Sequence, residues 1–361
     1  MLFDPKPKTR KVDLFNFEKE FNRLSYLIND PLTRLIVVKG LRRTGKTSLV
    51  LTSLNELGVP YVLIDVREFV RSRRGLYSIL SRSLNSFIRR YLPSKALINS
   101  VMKALSNIRG VGISGLEISL SWGKNRPLLT ELFRELDRAS HDAGVRLIIA
   151  IDEAQRLGGP LGIEVWDAIA HAYDFLDNLV FILSGSEMGV LSLILGNPRS
   201  PLFGRAYAEV TTQRLSHERS LEFLRLGFSE VNVKVDEDEL ENVVGRLDGI
   251  IGWLTYYGYS RSIGSRDLGT IINDAVDMAK QELENFLSLR ASRRYRVILK
   301  LLASGIREWG LLKRTLESYE GSQVSDRVLH DVLTTLKRHS IIDDSLEFTD
   351  PIIKEASKKL Y

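Results

Sequence analysis

The chain has 361 residues, more than one hydrophobic core usually organises, so its length predicts two or three domains. Hydrophobic residues make up 44% and charged residues 27%, and no segment approaches the roughly 18 uncharged apolar residues of a membrane span. The lack of cysteine excludes disulfides, thiolate zinc sites and a cysteine nucleophile. The net charge of +6 permits contact with nucleic acid or acidic partners without requiring it.

Residues 1–15 are charged and lack the apolar segment and small-residue cleavage site of a secretory signal. A cytoplasmic protein that does not bind membranes is therefore the expectation.

The first predicted strand, residues 35–38, runs into the spacing Gly-x-x-x-x-Gly-Lys-Thr and then into an apolar-periodic helix, residues 48–57. Amides of such a turn converge on phosphate oxygens, with the positive end of the helix beneath them. Lys46 is expected to reach the β- and γ-phosphates of ATP, and Thr47 to ligate Mg²⁺. The neighbouring arginines either touch phosphate or face solvent. The predicted nucleotide-binding residues are Gly40, Leu41, Arg42, Arg43, Thr44, Gly45, Lys46, Thr47 and Ser48.

A second predicted strand, residues 61–66, precedes the segment REFVRSRRG, residues 67–75, with four arginines. This segment is either a binding loop for nucleic acid or a partner, or a solvated charged surface, as such runs usually are. Helical spacing follows over residues 76–105. The next segment, residues 111–123, alternates as a small hairpin does, and its aromatic residues are predicted to belong to the core.

A further apolar strand, residues 146–151, ends in Asp152 and Glu153. Two carboxylates at the carboxyl end of a buried strand can divide the work of hydrolysis. Asp152 is expected to hold Mg²⁺ through its water shell, and Glu153 to polarise the water that attacks the γ-phosphate. An isolated Asp-Glu pair would more simply cap a helix, but the phosphate-binding loop upstream favours the catalytic interpretation.

The strand at residues 180–183 runs into a turn at residues 184–187, which should face the γ-phosphate. Ser184 or Ser186 is a candidate sensor hydroxyl, and a simple turn is the alternative. Arg205 is a candidate to neutralise charge on the γ-phosphate, in cis or in a neighbouring subunit, and a surface arginine is the alternative.

Alternating strands and helices predict an α/β fold with a three-layer parallel sheet, completed by an edge strand at residues 208–211. Residues 1–215 are predicted to form the ATPase core and residues 216–290 a helical lid. Residues 291–361 carry three helical patterns and two short strands, which predict a winged helix. Its third helix carries Arg327, Lys337 and Arg338 and would be the one to enter a major groove. Residues 291–361 hold 13 basic and 10 acidic residues, a net charge that is modest for a protein that binds duplex DNA. Duplex DNA and a protein client are therefore both kept as possible partners.

The segments GLRRTGKTSL, IDEAQ, FILSGSEMG and SPLFGRA together resemble the archaeal ATPase family in the STAND branch of the AAA+/ASCE-like P-loop ATPases. The resemblance covers nearly the whole chain. It implies an ATP site, a helical lid and a C-terminal winged helix that act as a nucleotide-gated switch. Lys46 and Thr47 match the Walker A pair, Asp152 and Glu153 the Walker B pair, and Arg205 the recurrent Gly-Arg of the family.

Two positions depart from the family pattern. Phe17 stands where an upstream arginine packs near the base, and Ile251 stands where the lid segment Gly-Gly-Ile-Pro-Gly-Trp-Leu has proline. Base recognition through these two positions is therefore expected to differ.

The sequence thus predicts Mg²⁺-dependent ATP hydrolysis, without a covalent intermediate, that moves the lid and the winged helix. One alternative is a scaffold that holds ATP or ADP with very slow turnover. Another is a DNA-handling ATPase. Nucleotide-dependent self-association is a further expectation, since Arg205 can act in trans.

Overall fold

A computed structural model of the chain describes residues 1–68, 72–264, 266–290 and 293–360. Five strands form one parallel sheet in the order β2-β5-β6-β1-β7. They are β1 Leu35–Lys39, β2 Tyr61–Asp65, β5 Leu147–Asp152, β6 Leu179–Gly185 and β7 Ala208–Thr211. β7 pairs with β1 at one edge. The predicted α/β fold with its edge strand is confirmed.

The central strand β5 shows why the sheet is covered on both faces. All six of its residues are buried, as the unbroken apolar sequence LIIAID predicts for a parallel strand. Ile148 and Ala150 face one apolar cluster, whereas Leu147 and Ile149 face another, because successive side chains of a strand point to opposite faces.

Helices cover the two faces of this sheet. Helices α1 and α2 pack on one face, and α3 to α6 on the other. The core helices are α1 Glu18–Asn29, α2 Lys46–Glu56, α3 Arg73–Tyr91, α4 Lys95–Ser106, α5 Leu129–Asp142, α6 Gly159–Phe175 and α7 Met188–Gly196.

The predicted hairpin between α4 and α5 is present as β3 Val111–Ser114 and β4 Glu117–Leu120. The expectation that its aromatic residues belong to the core is wrong for Trp122, which is 52% exposed. Trp122 lies beyond the last paired residue of β4, so nothing in the hairpin covers it. Of the four arginines in residues 67–75, Arg71 lies outside the described residues.

The remaining helices form the second half of the molecule. They are α8 His217–Glu230, α9 Glu237–Leu247, α10 Ile251–Ile263, α11 Leu268–Ser288, α12 Arg294–Ala303, α13 Trp309–Glu320, α14 Asp326–Arg338 and α15 Pro351–Lys358. Helices from both the predicted lid and the predicted winged helix share one apolar cluster, which also buries Leu2 and Phe3. The domain boundaries at residues 215 and 290 stay a prediction.

The winged helix differs from its prediction at the wing. The two predicted strands reduce to a single antiparallel bridge between Ile342 and Phe348. The apolar residues after Asp350 begin a helix instead, because the Asp350 carboxylate accepts from the amide of Ile352 at 2.8 Å and Pro351 occupies the first turn. None of the helices within the described ranges combines the length and hydrophobicity that a membrane crossing requires.

Candidate nucleotide-binding site

The phosphate-binding loop joins β1 to α2, as the spacing predicts. Gly45 has φ 84°, and a β-carbon there would lie 2.8 Å from the ring of Phe17. A β-carbon at Gly40 would lie 2.2 Å from the hydroxyl of Thr212. Both glycines are therefore required by close packing as well as by the tight turn.

Lys46 is buried inside this loop. Its ammonium donates to the carbonyl of Gly40 at 3.0 Å and to the carbonyl of Leu41 at 2.6 Å. Burial lowers the pKa of Lys46 to about 8, against the opposing charges of Glu153 and Asp152. The ammonium is thus held at the mouth of the loop, where an anionic phosphate would raise its pKa again.

The hydroxyl and carboxylate groups predicted for the metal site lie together. Thr47 Oγ1 donates to Oδ2 of Asp152 at 2.9 Å, and the Ser184 hydroxyl donates to the other oxygen of that carboxylate. Asp152 is buried, so these two donors offset the cost of removing its charge from water. β1, β5 and β6 bring the three residues together, since their carboxyl ends meet at one edge of the sheet.

Glu153 lies beside this pair with a left-handed backbone, φ 55°. Such a conformation is unfavourable for a residue with a β-carbon and needs support from its surroundings. Ser186 Oγ donates to Glu153 Oε2 at 2.8 Å, and Gln155 Nε2 donates to the same oxygen at 2.5 Å. Gln155 carries this contact without having been predicted, although it lies within the IDEAQ motif.

Both loop arginines are engaged in ion pairs. Arg42 lies 3.1 Å from Glu187 and 3.3 Å from Glu282, and Arg43 pairs with the same Glu282. The Arg43 guanidinium also stacks 3.8 Å from the ring centroid of Trp253. Glu282 belongs to α11, far away in the chain, and no local pattern in the sequence could have indicated its role.

Arg205 lies apart from these residues. Its guanidinium pairs with Asp174, and Arg34 at the amino end of β1 donates to the carbonyl of the adjacent Tyr173 at 3.1 Å. Arg205 is thus at the amino edge of the sheet, at the end of β1 opposite the phosphate loop. The structure does not bring it to the predicted site in cis, and its role in trans stays a prediction.

A cavity of about 450 Å³ opens above the loop, which suits a ligand of nucleotide size. Leu2 and residues 4–8 form one wall, and the amide of Lys8 donates to Ser48 Oγ at 3.0 Å. The apolar part of the lining comprises Leu14, Phe15, Phe17, Phe223, Ile251 and Tyr256. The two residues that depart from the family pattern, Phe17 and Ile251, thus both face this cavity.

This sheet order, the loop between β1 and α2, and the hydroxyl–carboxylate pair together define the class of the P-loop ATPases. The sequence profile of an ATPase domain found predominantly in Archaea matches residues 14–256. The profile of the C-terminal winged helix-turn-helix domain of MCM proteins matches residues 289–347.

The chain belongs to this archaeal ATPase family, and nucleotide binding follows from that membership. A Walker-type ATPase from Pyrococcus abyssi is 34% identical, with 99% of this chain and 100% of that chain covered and a TM-score of 0.80.

More distant structures are Cdc6p from Pyrobaculum aerophilum and the Orc1 protein of Aeropyrum pernix in complex with DNA. The first is 13% identical, with coverages of 99% and 97% and a TM-score of 0.48. The second is 15% identical, with coverages of 96% and 93% and a TM-score of 0.45. No curated protein sequence is similar to the chain.

Proposed function

We propose that the chain hydrolyses ATP with Mg²⁺ and that the nucleotide state is transmitted to the lid and the winged helix. The observation that carries the proposal is the contact of Thr47 with Asp152 at 2.9 Å, next to a Glu153 carboxylate that Ser186 and Gln155 orient. A site that only stored nucleotide would need the loop but not an oriented second carboxylate.

Thr47 and Asp152 fit a magnesium ion. Mg²⁺ keeps several waters and takes one or two protein oxygens together with phosphate oxygens, so a hydroxyl and a carboxylate suffice. When bound, Mg²⁺ would neutralise charge on the β- and γ-phosphates. The Ser184 hydroxyl fixes the orientation of Asp152 from the side opposite Thr47.

The protein groups have separable roles in the reaction. Lys46 exchanges its carbonyl partners for phosphate oxygens, and Glu153 accepts a hydrogen bond from the attacking water and aligns it. Arg42 lies near the same edge of the sheet, paired with Glu187 at the end of β6. No covalent intermediate is required.

The base is proposed to occupy the apolar part of the cavity. Phe17 contributes an aromatic ring where the family has an arginine, and Ile251 contributes an aliphatic surface where the family has proline. Recognition of the base at these two positions therefore rests on apolar contact.

Two chains of contacts support transmission of the nucleotide state. In the first, Arg43 stacks on Trp253 of α10, whose indole donates to Asp350 at the start of α15 at 2.8 Å. In the second, Arg42 pairs with Glu187, and Nδ1 of His339, just after α14, lies 2.7 Å from that carboxylate. Both link the phosphate loop to the winged helix, which is what the predicted STAND-type switch requires.

A DNA-handling ATPase remains the second candidate, because Arg327 of α14 is 90% exposed and available to a duplex. The opposite end of α14 is not available in this arrangement. A β-carbon at Gly189 of α7 would lie 2.6 Å from Cα of Arg338, so the two helices are in tight contact. Duplex binding through Arg338 would require the winged helix to leave the core, and a protein client stays the other possibility.

Steady-state ATP hydrolysis with and without Mg²⁺ tests the proposal. Glu153→Gln keeps the shape of the site and should abolish turnover while nucleotide binding persists. Glu117→Gln, which alters an exposed carboxylate on β4, is the matched control and should leave turnover unchanged. Turnover of the wild type no higher than that of Glu153→Gln would favour the scaffold, and turnover that rises with duplex DNA would favour the DNA-handling ATPase.

A further inference from the structure

A second concave surface lies outside the nucleotide site. It is formed by the start of α3 and by the loop after β4, and we call its residues Arg73, Arg74, Trp122, Lys124 and Arg126 the Trp122 surface. These residues line a shallow depression of about 360 Å³. The Arg74 guanidinium lies 5.7 Å from the ring centroid of Trp122. The basic segment and the hairpin, far apart in sequence, therefore form one feature.

The loop that carries Trp122 is fixed by its neighbours. The amide of Ser121 donates to the carbonyl of Gly110 at 2.8 Å, and the Arg109 guanidinium donates to the side chain of Asn125 at 2.7 Å. Tyr77 of α3 donates to the carbonyl of Pro127 at 2.7 Å and so ties the loop to that helix. An exposed tryptophan on a fixed loop loses little conformational entropy when a ligand covers it.

The charge of the surface is strongly positive. Among the described residues, one carboxylate lies within 4 Å of its four cations: Glu164 of α6 is 3.9 Å from Arg73 and 3.6 Å from Arg126. Among the described side chains, no carboxylate lies within 4 Å of the charged groups of Arg74 and Lys124. The surface therefore attracts a polyanion and offers an apolar ring at its centre.

We propose that the Trp122 surface binds single-stranded nucleic acid. A base stacks on the exposed part of the Trp122 ring, while Arg73, Arg74 and Lys124 contact the adjoining phosphates. A duplex keeps its bases stacked in the helix, so it engages only the charges and binds more weakly here. RNA and single-stranded DNA share this chemistry, and the site is separate from the winged helix.

The surface has a direct connection to the nucleotide site. α3 follows β2, whose last residue Asp65 is paired in register with Asp152 of β5. The carboxylate of the surface, Glu164, belongs to α6, which follows Glu153 after a short turn. Bound nucleic acid thus contacts α3 directly and is linked to α6 through the ion pairs of Arg73 and Arg126 with Glu164.

Fluorescence anisotropy with end-labelled oligomers tests the proposal on the full chain. The probes are a 20-mer of deoxythymidine, a 20-mer of uridine and a 20-base-pair duplex. Trp122→Ala should weaken binding of the single strands by roughly five- to 150-fold, the range for loss of one stacked base. Trp122→Phe should recover most of the affinity. The DNA and RNA probes decide which polymer is preferred.

Charge variants separate this surface from general attraction to a basic protein. Arg73→Ala with Arg74→Ala should lower the slope of log affinity against log salt by about 1.4, as expected for two lost phosphate contacts. Lys19→Ala with Arg23→Ala on α1, which packs on the opposite face of the sheet, removes the same charge and should change the slope far less. Unchanged melting temperatures and unchanged basal ATP hydrolysis in the Trp122 variants would show that folding is intact.

Several outcomes would overturn the proposal. Absence of measurable single-strand binding at low salt is one. Equal losses for the α1 and α3 charge pairs, or wild-type affinity of Trp122→Ala, would show attraction by net charge alone. Tighter binding of the duplex that ignores Trp122 would assign nucleic-acid contact to another surface.

Discussion

At the scale of single residues, the two charged groups at the centre of the site, Asp152 and Lys46, are buried and both have hydrogen-bond partners. Asp152 is 3% exposed and accepts from two hydroxyls, and Lys46 is 5% exposed and donates to two carbonyls. The adjacent hydroxyl groups of Thr47 and Ser48 have different hydrogen-bond partners. Thr47 faces Asp152, whereas Ser48 accepts from the amide of Lys8 and anchors the amino-terminal segment.

Thr47→Ala should therefore lower the affinity for Mg²⁺–ATP by about 10- to 100-fold, as expected for a lost hydrogen bond to a charged group and a lost ligand. Ser48→Ala is the matched control and should leave the Mg²⁺ dependence of binding unchanged. Titration calorimetry with ATP, with and without Mg²⁺, checks both. Equal losses of Mg²⁺–ATP affinity in the two variants would show that either substitution disturbs the loop as a whole and that Thr47 is not a specific metal ligand.

Glu187 gives a prediction for pH. Burial alone would raise its pKa, but the contact with His339 and the charge of Arg42 outweigh burial and hold the pKa below its ordinary value of 4.5. A carboxylate with a lowered pKa stabilises the fold above the unfolded pKa, and this contribution is lost as the pH falls through the folded pKa. Glu187→Gln should cost about 1–3 kcal/mol near pH 7, and the difference from wild type should shrink below pH 4.5.

Denaturant unfolding of both proteins between pH 3 and 7, about the range that carboxyl groups titrate, measures this difference. A difference that stays constant across the range would show that Glu187 acts through packing and not through its charge.

The residues that could be predicted are those within a local motif. Lys46, Thr47, Asp152 and Glu153 follow from a strand, a turn and the next few positions, since the chemistry of phosphate binding needs those residue types at that spacing. Glu282 and His339 could not be predicted, because their partners, the loop arginines and Glu187, lie far away in sequence. The sequence marks Phe17 only as a departure from the family pattern. Its packing on Gly45 depends on how α1 crosses the sheet, which no local pattern indicates.

At the scale of elements, the start of α10 is pressed against the phosphate loop. The amide of Gly252 donates to the carbonyl of Arg43 at 2.8 Å, and a β-carbon at Gly252 would lie 2.6 Å from Cβ of Arg43. The contact is between backbones, so a larger residue cannot be accommodated by a change of rotamer. α10 therefore contacts the loop directly, as α11 does through Glu282.

Gly252→Ala should displace α10 from the loop, cost about 1–3 kcal/mol in stability, and weaken nucleotide binding although residue 252 need not touch phosphate. Gly245→Ala is the control, because Gly245 lies inside α9 with open space around it. That variant should stabilise the protein by about 0.5–1 kcal/mol and leave nucleotide affinity unchanged. Thermal melts with and without ADP measure both effects, and equal ADP-induced shifts in the two variants would contradict a role of this contact.

The periodicity of apolar residues predicts the helices better than it predicts the short strands. The apolar periodicity of residues 293–303, 309–318 and 326–339 predicts the three helices of the winged helix within two residues of their observed bounds, since each buries one apolar face. The second strand of the wing is not predicted correctly, because Asp350 and Pro351 start a helix in a segment that an apolar pattern also allows as strand. The prediction that Trp122 belongs to the core is wrong for a related reason. Alternation of apolar and polar residues does not reveal where the side chains of a strand cease to be buried.

At the scale of the whole molecule, the amino-terminal segment lines the nucleotide cavity, and the winged helix contacts the core beside the end of β6. Phe3 packs against Gly227 of α8 and Gly258 of α10, where β-carbons would lie 2.3 Å from its ring. On the other side, Ser340 after α14 accepts from the amide of Met188 at the start of α7 at 3.1 Å. Glu187 precedes Met188, so the carboxylate that pairs with Arg42 is adjacent to the contact that holds the winged helix.

This arrangement predicts that the γ-phosphate loosens the winged helix. A phosphate that draws Arg42 away from Glu187 removes one of the two partners of this carboxylate. The other partner is His339, whose Nδ1 lies 2.7 Å away, so the contacts around His339 lose stability. Hydrogen exchange of α7 and of the second half of α14 should then be faster in Glu153→Gln with Mg²⁺–ATP than with ADP. His339→Ala should give the faster exchange without any nucleotide, whereas His330→Ala, an exposed residue of the same helix, should not. Identical exchange in the ATP and ADP states would mean that the winged helix stays docked throughout turnover, and the transmission through Glu187 would have to be abandoned.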